Sequence, residues 1–270
     1  MTDRTLPSPN DLAGLARSPA TNASAGIAVD LLFTLAWPAA AAVSLSIAVG
    51  GRDVTGLGLL SIACGTMAAY GLDRLIDRRE HDAPRLKSAL AWCVALAAAG
   101  TGILACTAWW RFQVCLALAL IAGAYVPLKR YIPKNVLTVV GWTAATATLP
   151  FDGRPPLDPA FGAAVLAVAA VMAANTLICD LKDVVTDRQS GVVGIAPWLG
   201  VRAGSLAAVA FGCLGAGVAG SAGRFGLAAT ALCLAILAVL VARDPARGVY
   251  RLLADGLVVV VPGSLTLLDR

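Results

Sequence analysis

Residues 160–188 read AFGAAVLAVAAVMAANTLICDLKDVVTDR. About twenty apolar or small residues are followed at once by the carboxylates Asp180, Asp183 and Asp187. An apolar run of this length can cross the hydrocarbon core of a bilayer as a helix. Ionisable side chains at the edge of such a run are costly and indicate a functional site. The stretch therefore predicts a membrane helix that ends in an acidic site.

A similar pattern occurs earlier in the chain, where another apolar run ends in the sequence DRLIDR, residues 73–78. Asp73 and Asp77 are four residues apart, so on a helix they lie on one face. The three aspartates of the later stretch also form one helical stripe. Repulsion between carboxylates placed in this way is unfavourable unless cations lie between them. The repetition favours a functional site over two ordinary solvated helix ends.

The composition predicts an all-α membrane protein. Of 270 residues, 59% are hydrophobic and only 14% are charged, and the mean hydropathy is +0.79. The apolar runs are continuous rather than alternating, which indicates helices rather than barrel strands. We expect a flexible cytoplasmic tail at 1–25 and one polytopic domain at 26–270. Nine spans are predicted, at about 27–49, 54–76, 87–108, 112–128, 134–151, 160–182, 202–221, 225–242 and 249–268.

The distribution of basic residues predicts the orientation of these spans. With the N-terminus inside, sixteen of the 21 Lys and Arg residues fall on the inner side. Cytoplasmic loops carry such an excess, so both acidic stretches are expected at the cytoplasmic face of the cell membrane. The net charge of +5 then reflects topology and contact with membrane lipids, and it requires no nucleic-acid partner.

Oxygen ligands at these spacings favour Mg²⁺, which proteins usually hold with a few carboxylates together with substrate phosphates. Basic side chains expected at the same level could bind phosphate oxygens. The sequence contains no Walker-type glycine loop, so nucleotide hydrolysis is not indicated. The basic candidates for a phosphate site are Arg74, Arg78, Lys129, Lys182 and Arg188.

The acidic stretches close the second and the sixth predicted spans, which run in the same direction. This placement predicts parallel internal repeats around a central cavity, with the site at their interface. A transporter built on such repeats would show broken helices near the midplane. Here the charges cluster at one edge, which argues against transport.

These motifs resemble those of the UbiA superfamily of intramembrane prenyltransferases. Members show N-D-x-x-D-x-x-x-D after the second helix and D-x-x-D-x-x-x-D-x-x-x-G after the sixth. The resemblance covers most of the chain, although about thirty residues carry its motifs. The second motif is matched in full, the first in its last two aspartates, and a Tyr-x-x-x-Lys signature follows the fourth helix. The matching residues are Asp73, Arg74, Asp77, Tyr125, Lys129, Asp180, Asp183, Asp187 and Gly191.

The resemblance implies a funnel of nine helices around a cavity that opens to lipid. It implies two Mg²⁺ ions, held by the five aspartates, on an isoprenoid diphosphate. Ionisation of this diphosphate would give an allylic cation, which an aromatic or other lipophilic acceptor captures. Tyr125 and Lys129 would contact the phosphate oxygens, although an interfacial anchor pair is the alternative.

The first motif departs from the family pattern. Ala69 and Tyr70 stand where the family has Asn and Asp, so one amide and one carboxylate ligand are missing. Tyr70 is instead a candidate for lining the substrate cavity, where an aromatic face favours a cation, with simple packing as the alternative. The change leaves two other functions open: a terpene cyclase of the same superfamily, and a non-catalytic lipid-binding protein with a degenerate site.

Two further polar residues lie inside predicted spans. Asn175 is expected to hydrogen-bond across helices, with a substrate contact as the alternative. Asp255 lies one turn after Arg251 and is expected to form a local ion pair with it. The seven cysteines all fall inside predicted spans, and none shows a metal-binding spacing.

Overall fold

The computed structural model describes residues 31–77, 84–128, 131–156, 158–184, 188, 193–244 and 249–268. Within these ranges the regular structure is entirely helical, and it comprises nine α-helices. The first continues from a π-helical turn, Leu32–Ala36. In chain order the helices are α1 Trp37–Gly50, α2 Gly56–Asp77, α3 Pro84–Ala105, α4 Trp109–Leu128, α5 Lys134–Thr148, α6 Pro159–Asp180, α7 Ile195–Ser221, α8 Phe225–Val241 and α9 Val249–Leu268.

The lengths and compositions of these helices confirm an all-α, multi-pass membrane protein. Five segments are long and apolar enough to cross a bilayer: Leu32–Asp53, Gly56–Ile76, Leu86–Ala105, Pro159–Asp180 and Ile195–Ser221. Three shorter apolar helices cover Trp109–Tyr125, Phe225–Val241 and Leu252–Leu268. The nine helices follow the order of the nine predicted spans, while the number that cross the membrane stays a prediction. The expected tail at 1–25 lies outside the described residues.

The helices form a closed ring. Each helix packs against the next one in the chain, and α9 packs against α1. Helices α1 and α6 lie most centrally. Besides its neighbours in the chain, α6 contacts α1, α8 and α9, and α1 contacts α5, α6 and α8. Helix α2 packs against α1, α3 and α4, and it makes no close packing with α6 in the described part of the chain. The two helices that carry the acidic motifs are therefore separated.

The apolar core lies mainly among α1 and α6–α9. Leu45, Leu177 and Leu234 are almost completely buried there. The opposite side of the ring turns large apolar side chains outward, and Trp92 and Leu120 are 69% and 66% exposed. Lipid tails are as apolar as Leu side chains, so such a surface is suited to the bilayer.

Small residues bring α7 close to its neighbours. A Cβ added at Gly212 would lie 2.8 Å from the backbone oxygen of Ala231 and 2.8 Å from the Cβ of Ala235, both on α8. A Cβ at Gly215 would lie 3.2 Å from the Cβ of Ala170 on α6. Close backbone approach at small residues is a main source of helix association in membranes. These glycines therefore position α6, α7 and α8 relative to one another.

A proline in α9 helps to close the ring. Pro262 has no N–H and interrupts the backbone hydrogen bonds of the helix. The next N–H, that of Gly263, donates to Ser44 Oγ of α1 at 2.8 Å. A Cβ at Gly263 would lie only 2.9 Å from this same oxygen. The hydrogen bond from Gly263 to Ser44 therefore joins the last helix to the first at the point where Pro262 interrupts α9.

One end of the bundle is held by a polar network. Arg111, near the start of α4 and only 2% exposed, forms an ion pair with Asp152 in the α5–α6 loop and donates to Thr107. Thr55 Oγ1 donates to Asp152 at 2.9 Å, and the Thr55 N–H donates to Pro150 O at 3.0 Å. These contacts join the segment before α2, the start of α4 and the α5–α6 loop.

Helix α7 begins earlier than the sequence analysis predicts. The predicted span starts at 202, whereas the helix starts at Ile195 and changes direction at Gly200, with φ 79° and ψ 175°. Glycine adopts positive φ without steric cost, so it permits this kink. Pro197 and Gly200 are helix-breaking residue types, yet the helix includes both.

We expect Gly212→Ala to destabilise the protein by about 1–3 kcal/mol, because the added methyl group overpacks the α7–α8 contact. Gly217→Ala is the matched control on the same helix, since its Cβ would meet nothing within 4 Å. Replacing Gly by Ala in a helix interior contributes up to about 1 kcal/mol. Thermal unfolding in detergent should therefore give a lower Tm for the first variant and an equal or higher Tm for the second. Equal effects of the two variants would contradict the close packing.

Candidate active site

The second acidic motif begins at the last residue of α6. The helix ends at Asp180, and a 3₁₀ turn, Leu181–Asp183, follows directly. Leu181 and Val184 are 1% and 4% exposed, so the apolar core anchors this turn. Asp180 and Asp183 are only partly buried. The turn therefore has its apolar side chains in the core and its carboxylates at the surface of the bundle end.

Asp180 is held by two residues at the start of α5. Lys134 Nζ lies 3.2 Å from Asp180 Oδ1, and Asn135 Nδ2 donates to Asp180 Oδ2 at 2.9 Å. The Asp180 and Lys134 side chains are 17% and 24% exposed, so solvent only partly screens their attraction. The carboxylate is charge-balanced in this arrangement. A metal ion bound there would have to share it with a lysine.

The same two α5 residues also connect to the start of α7. Asn135 is 3% exposed, and its Oδ1 accepts from the Ile195 N–H at 3.2 Å. The Lys134 N–H donates to Val193 O at 3.2 Å. The nitrogen of the Asn135 amide therefore donates to Asp180, and its oxygen accepts from Ile195 at the α7 N-terminus. Without this oxygen, that N–H would need another capping partner. This contact ties α5, α6 and α7 together at the motif.

The first acidic motif lies on the last two turns of α2. Asp73 is partly buried, whereas the Asp77 side chain lies outside the described part. Arg74 Nη2 donates to the Tyr70 hydroxyl at 3.2 Å, and the guanidinium lies 5.2 Å from the centre of the Tyr70 ring. A tyrosine in place of the family's carboxylate thus orients the neighbouring cation by a hydrogen bond and a cation–π contact.

Arg188 lies beside the first turn of α7. Its Nε donates to Pro197 O at 2.6 Å, and it borders an open cavity of about 440 Å³. The side chain is exposed, so its remaining N–H groups are accessible. The other lining residues of this cavity are mainly apolar: Pro133, Val193, Gly194, Ile195, Pro197 and Trp198.

The remaining candidates from the sequence are only partly described. Tyr125 is partly buried near the end of α4. Lys129 and Asp187 lie outside the described residues, as does the Lys182 side chain. Among the residues that the structure describes, no group of three His, Cys, Asp or Glu side chains lies close enough to hold a metal. Because the Asp77 side chain and Asp187 lie outside the described part, the predicted metal site stays a prediction.

The chemistry of the donor set fits a hard divalent cation. Both motifs offer carboxylate oxygens, which Mg²⁺ prefers. The nearest soft ligand, Cys179, is directed elsewhere: its Sγ donates to Asp255 Oδ1 on α9 at 3.5 Å. The ligand types at the two motifs are therefore those expected for Mg²⁺ with a phosphate-bearing substrate.

A second polar cluster joins α6 to α9. Asn175 Nδ2 donates to Asp255 Oδ1 at 3.3 Å, and the Cys179 thiol lies beside the same oxygen. The expectation that Asn175 bonds across helices is confirmed. The ion pair expected between Asp255 and Arg251 involves a side chain outside the described part, so it stays a prediction. Two of the contacts of Asp255 come from α6.

The sequence does not predict two sets of contacts at the site. These are the contacts of Lys134 and Asn135 with Asp180, and the contacts of Asp255 with α6. In the sequence, Lys134 is one of the sixteen basic residues expected on the inner side. A signal for the pair does exist: Lys134 and Asn135 follow Pro133 at a helix start, and a polar residue at the first turn of an apolar helix often has a specific partner. Nothing in the sequence spacing indicated that this partner would be Asp180.

No protein family model matches the sequence, and no curated protein sequence matches it. Solved structures do match. A UbiA homologue from Aeropyrum pernix K1 superimposes with a TM-score of 0.62 at 18% identity, covering 87% of this chain and 98% of that one. A digeranylgeranylglyceryl phosphate synthase gives a TM-score of 0.59 at 10% identity, covering 89% and 95%.

A UbiA homologue from Archaeoglobus fulgidus bound to Cd²⁺ gives a TM-score of 0.55 at 15% identity, covering 86% of this chain and 97% of that one. The three proteins are matched over nearly their whole length. At these identities the similarity shows the fold. The chain has the fold of the UbiA homologues, and the resemblance predicted from its motifs is confirmed at that level.

We expect Asn135→Leu to destabilise the protein by about 1–3 kcal/mol, because the Ile195 N–H loses its partner and Asp180 loses an amide donor. Thr138→Val, one turn further along α5, is the control: its hydroxyl donates only within its own helix, to Lys134 O at 2.9 Å. The Tm in detergent should fall clearly for the first variant and little for the second. Similar losses in both variants would show that the contact does not hold the bundle end together.

Proposed function

We propose that this protein is an Mg²⁺-dependent prenyltransferase that moves a prenyl group from an isoprenoid diphosphate to an aromatic or other lipophilic acceptor. One observation carries the proposal: a chain with the UbiA fold places an aspartate motif at the ends of both α2 and α6. We place the protein in the cell membrane, with the N-terminus and both motifs on the cytoplasmic side.

The basic residues around the motifs are suited to the diphosphate. Arg74 is oriented by Tyr70, and Arg188 is oriented by Pro197 O. A planar guanidinium binds phosphate oxygens in a bidentate way. Lys129, Lys182 and Tyr125 are assigned to the same group by the family motif. Lys134 adds a cation at the Asp180 carboxylate.

The metal ligands would be Asp73 and Asp77 of the first motif with Asp183 and Asp187 of the second. Asp180 would contribute through the oxygen that it shares with Lys134. Bound Mg²⁺ supplies charge neutralisation on the diphosphate as the carbon–oxygen bond breaks. The digeranylgeranylglyceryl phosphate synthase and the Cd²⁺-bound UbiA homologue have the same fold, which supports an isoprenoid substrate and a divalent cation.

The rest of the substrate is apolar and would lie inside the ring of helices. The isoprenoid tail would then be buried among side chains such as Trp142. This residue packs against the main apolar core and against a smaller apolar cluster of Ala42, Ile62, Val114 and Leu149. Heterolysis of the carbon–oxygen bond leaves the electron pair on the diphosphate and an allylic cation on the prenyl group. Aromatic faces stabilise a cation, and the absence of water in the apolar interior protects it from hydrolysis.

A terpene cyclase is the second candidate, because Ala69 and Tyr70 replace two ligands of the first motif. Cyclisation and transfer share the ionisation step and differ in what captures the cation. In the cyclase a double bond of the same molecule would capture it, so no acceptor would be needed. The requirement for an acceptor therefore distinguishes the two reactions.

We expect Asp73→Asn and Asp183→Asn each to lower the rate of diphosphate release by about 10²–10³-fold, because each removes electrostatic stabilisation of the transition state. Asp244→Asn is the matched control, since this exposed carboxylate after α8 belongs to neither motif. Release from geranylgeranyl diphosphate would be measured with Mg²⁺, with the chelator EDTA, and with each variant's Tm as a folding check. Near-normal rates in both motif variants would refute the proposed site.

Acceptor dependence gives a separate prediction. Incubation of the wild type with isoprenoid diphosphates of several lengths should release diphosphate only when an acceptor is added, and mass spectrometry should find the prenylated acceptor. Release without acceptor, together with a cyclised hydrocarbon, would identify the cyclase instead. No release under any condition, with unchanged lipid binding in Asp73→Ala and Asp183→Ala, would indicate the non-catalytic alternative.

A further inference from the structure

Lys134, the first residue of α5, is a cation at the second acidic motif although it belongs to neither motif. Its Nζ lies 3.2 Å from Asp180 Oδ1, and the two side chains are 24% and 17% exposed. Salt and solvent screen a partly buried pair less than a fully exposed one. The ammonium therefore lies against an oxygen that a divalent cation would also use.

The Asp180 carboxylate is held in direction by Asn135. Its Oδ2 accepts from Asn135 Nδ2 at 2.9 Å. Asn135 is only 3% exposed, and its Oδ1 accepts from the Ile195 N–H. The amide cannot turn away without leaving a buried polar group unpaired, which costs free energy. Of these two partners of Asp180, Lys134 is therefore the more movable.

The backbone of Lys134 is fixed, while its side chain is able to reorient. The Lys134 N–H donates to Val193 O at 3.2 Å, which ties the start of α5 to the segment before α7. A lysine side chain has a flexible four-carbon stem and three rotatable donors. The ammonium can consequently move to another nearby oxygen while the α5 backbone stays in place.

Two cations at one carboxylate compete with each other. An opposite charge a few ångströms away lowers the affinity of a carboxylate for a proton by about ten- to a thousandfold. The same attraction opposes a divalent cation, because the cation must displace the ammonium or tolerate its repulsion. Phosphate oxygens offer a displaced ammonium a new partner. An anionic substrate at the motif therefore favours the metal at Asp180.

We propose that Lys134 competes with a divalent cation for the Asp180 carboxylate, and that the isoprenoid diphosphate relieves this competition by attracting Lys134. Lys134 is then a positioning residue that couples metal binding at the second motif to substrate binding. This inference rests on the proposed function for the identity of the diphosphate. The coupling is reciprocal, since each ligand increases the affinity for the other by the same factor.

Mn²⁺ binding to the full-length protein in detergent tests the competition directly. Free Mn²⁺ would be measured by electron paramagnetic resonance, with no diphosphate present. We expect Lys134→Met to bind Mn²⁺ about tenfold or more tightly than the wild type, because the competing charge is removed. Lys134→Gln should show the same gain, and the gain should disappear when Asp180→Asn is added. Equal or weaker Mn²⁺ binding by the Met and Gln variants overturns the inference.

Two control variants separate this competition from general charge effects. Lys134→Arg keeps the cation and should bind Mn²⁺ within threefold of the wild type. Lys87→Met removes a lysine of α3 that belongs to neither motif, and it should change the affinity less than twofold. A gain in Lys87→Met equal to that in Lys134→Met would refute a specific competition. A lower Tm with unchanged Mn²⁺ affinity in Lys134→Met and Lys134→Gln would show that the ion pair is only structural, and it would also refute the inference.

The coupling is measured with an uncleavable geranylgeranyl thiolodiphosphate. Its affinity would be determined by equilibrium dialysis, once with Mn²⁺ and once with EDTA. Mn²⁺ should increase this affinity by a factor that is about tenfold larger in the wild type than in Lys134→Met, because the variant has no competition to relieve. Equal factors in the two proteins would refute the coupling.

The two proposals can fail separately. If the wild type does not bind the thiolodiphosphate with Mn²⁺, the proposed function fails, whereas the Mn²⁺ affinities measured without it still test the competition at Asp180. If the thiolodiphosphate binds and Lys134→Met gains no affinity for Mn²⁺, the role of Lys134 is refuted alone.

Discussion

The contact of Asp180 with Lys134 and Asn135 is the interaction on which the site depends. Burial of a carboxylate at the end of an apolar helix costs free energy unless the carboxylate is paired and hydrogen-bonded. Here an ammonium at 3.2 Å and an amide at 2.9 Å meet that requirement. The same amide accepts from the first N–H of α7. Three helices are therefore fixed at the point where the second acidic motif begins.

At the opposite end of the bundle, a buried charge is likewise paired, by different residues. Arg111 is almost fully buried, and its partner Asp152 is largely exposed. Since α4 and the α5–α6 loop meet at this ion pair, helix ends that are distant in sequence are held together there. Between the two polar ends the bundle is mainly apolar, as the proposed isoprenoid tail would require.

The sequence predicted the fold well because its signals are strong and local. Apolar runs near the length of a membrane span predicted the order of the nine helices, and the matched motifs predicted the family resemblance. The predicted span starts at 202, whereas helix α7 starts at Ile195 and passes through a kink at Gly200. The contacts of Asp180 and Asp255 could not be predicted, since their partners lie 45 and up to 80 residues away. Tyr70 was read mainly as a lost ligand, and only the structure revealed its contact with Arg74.

The central claim is that both aspartate motifs act on one diphosphate through divalent cations. Anomalous diffraction from crystals grown with Mn²⁺ and an uncleavable isoprenoid thiolodiphosphate tests it most directly. We expect metal peaks within about 2.0–2.6 Å of carboxylate oxygens from the first motif, at Asp73 or Asp77, and from the second, at Asp183 or Asp187. The diphosphate should bridge those peaks. Metal bound to one motif alone, or a diphosphate located away from both, would refute a shared diphosphate site.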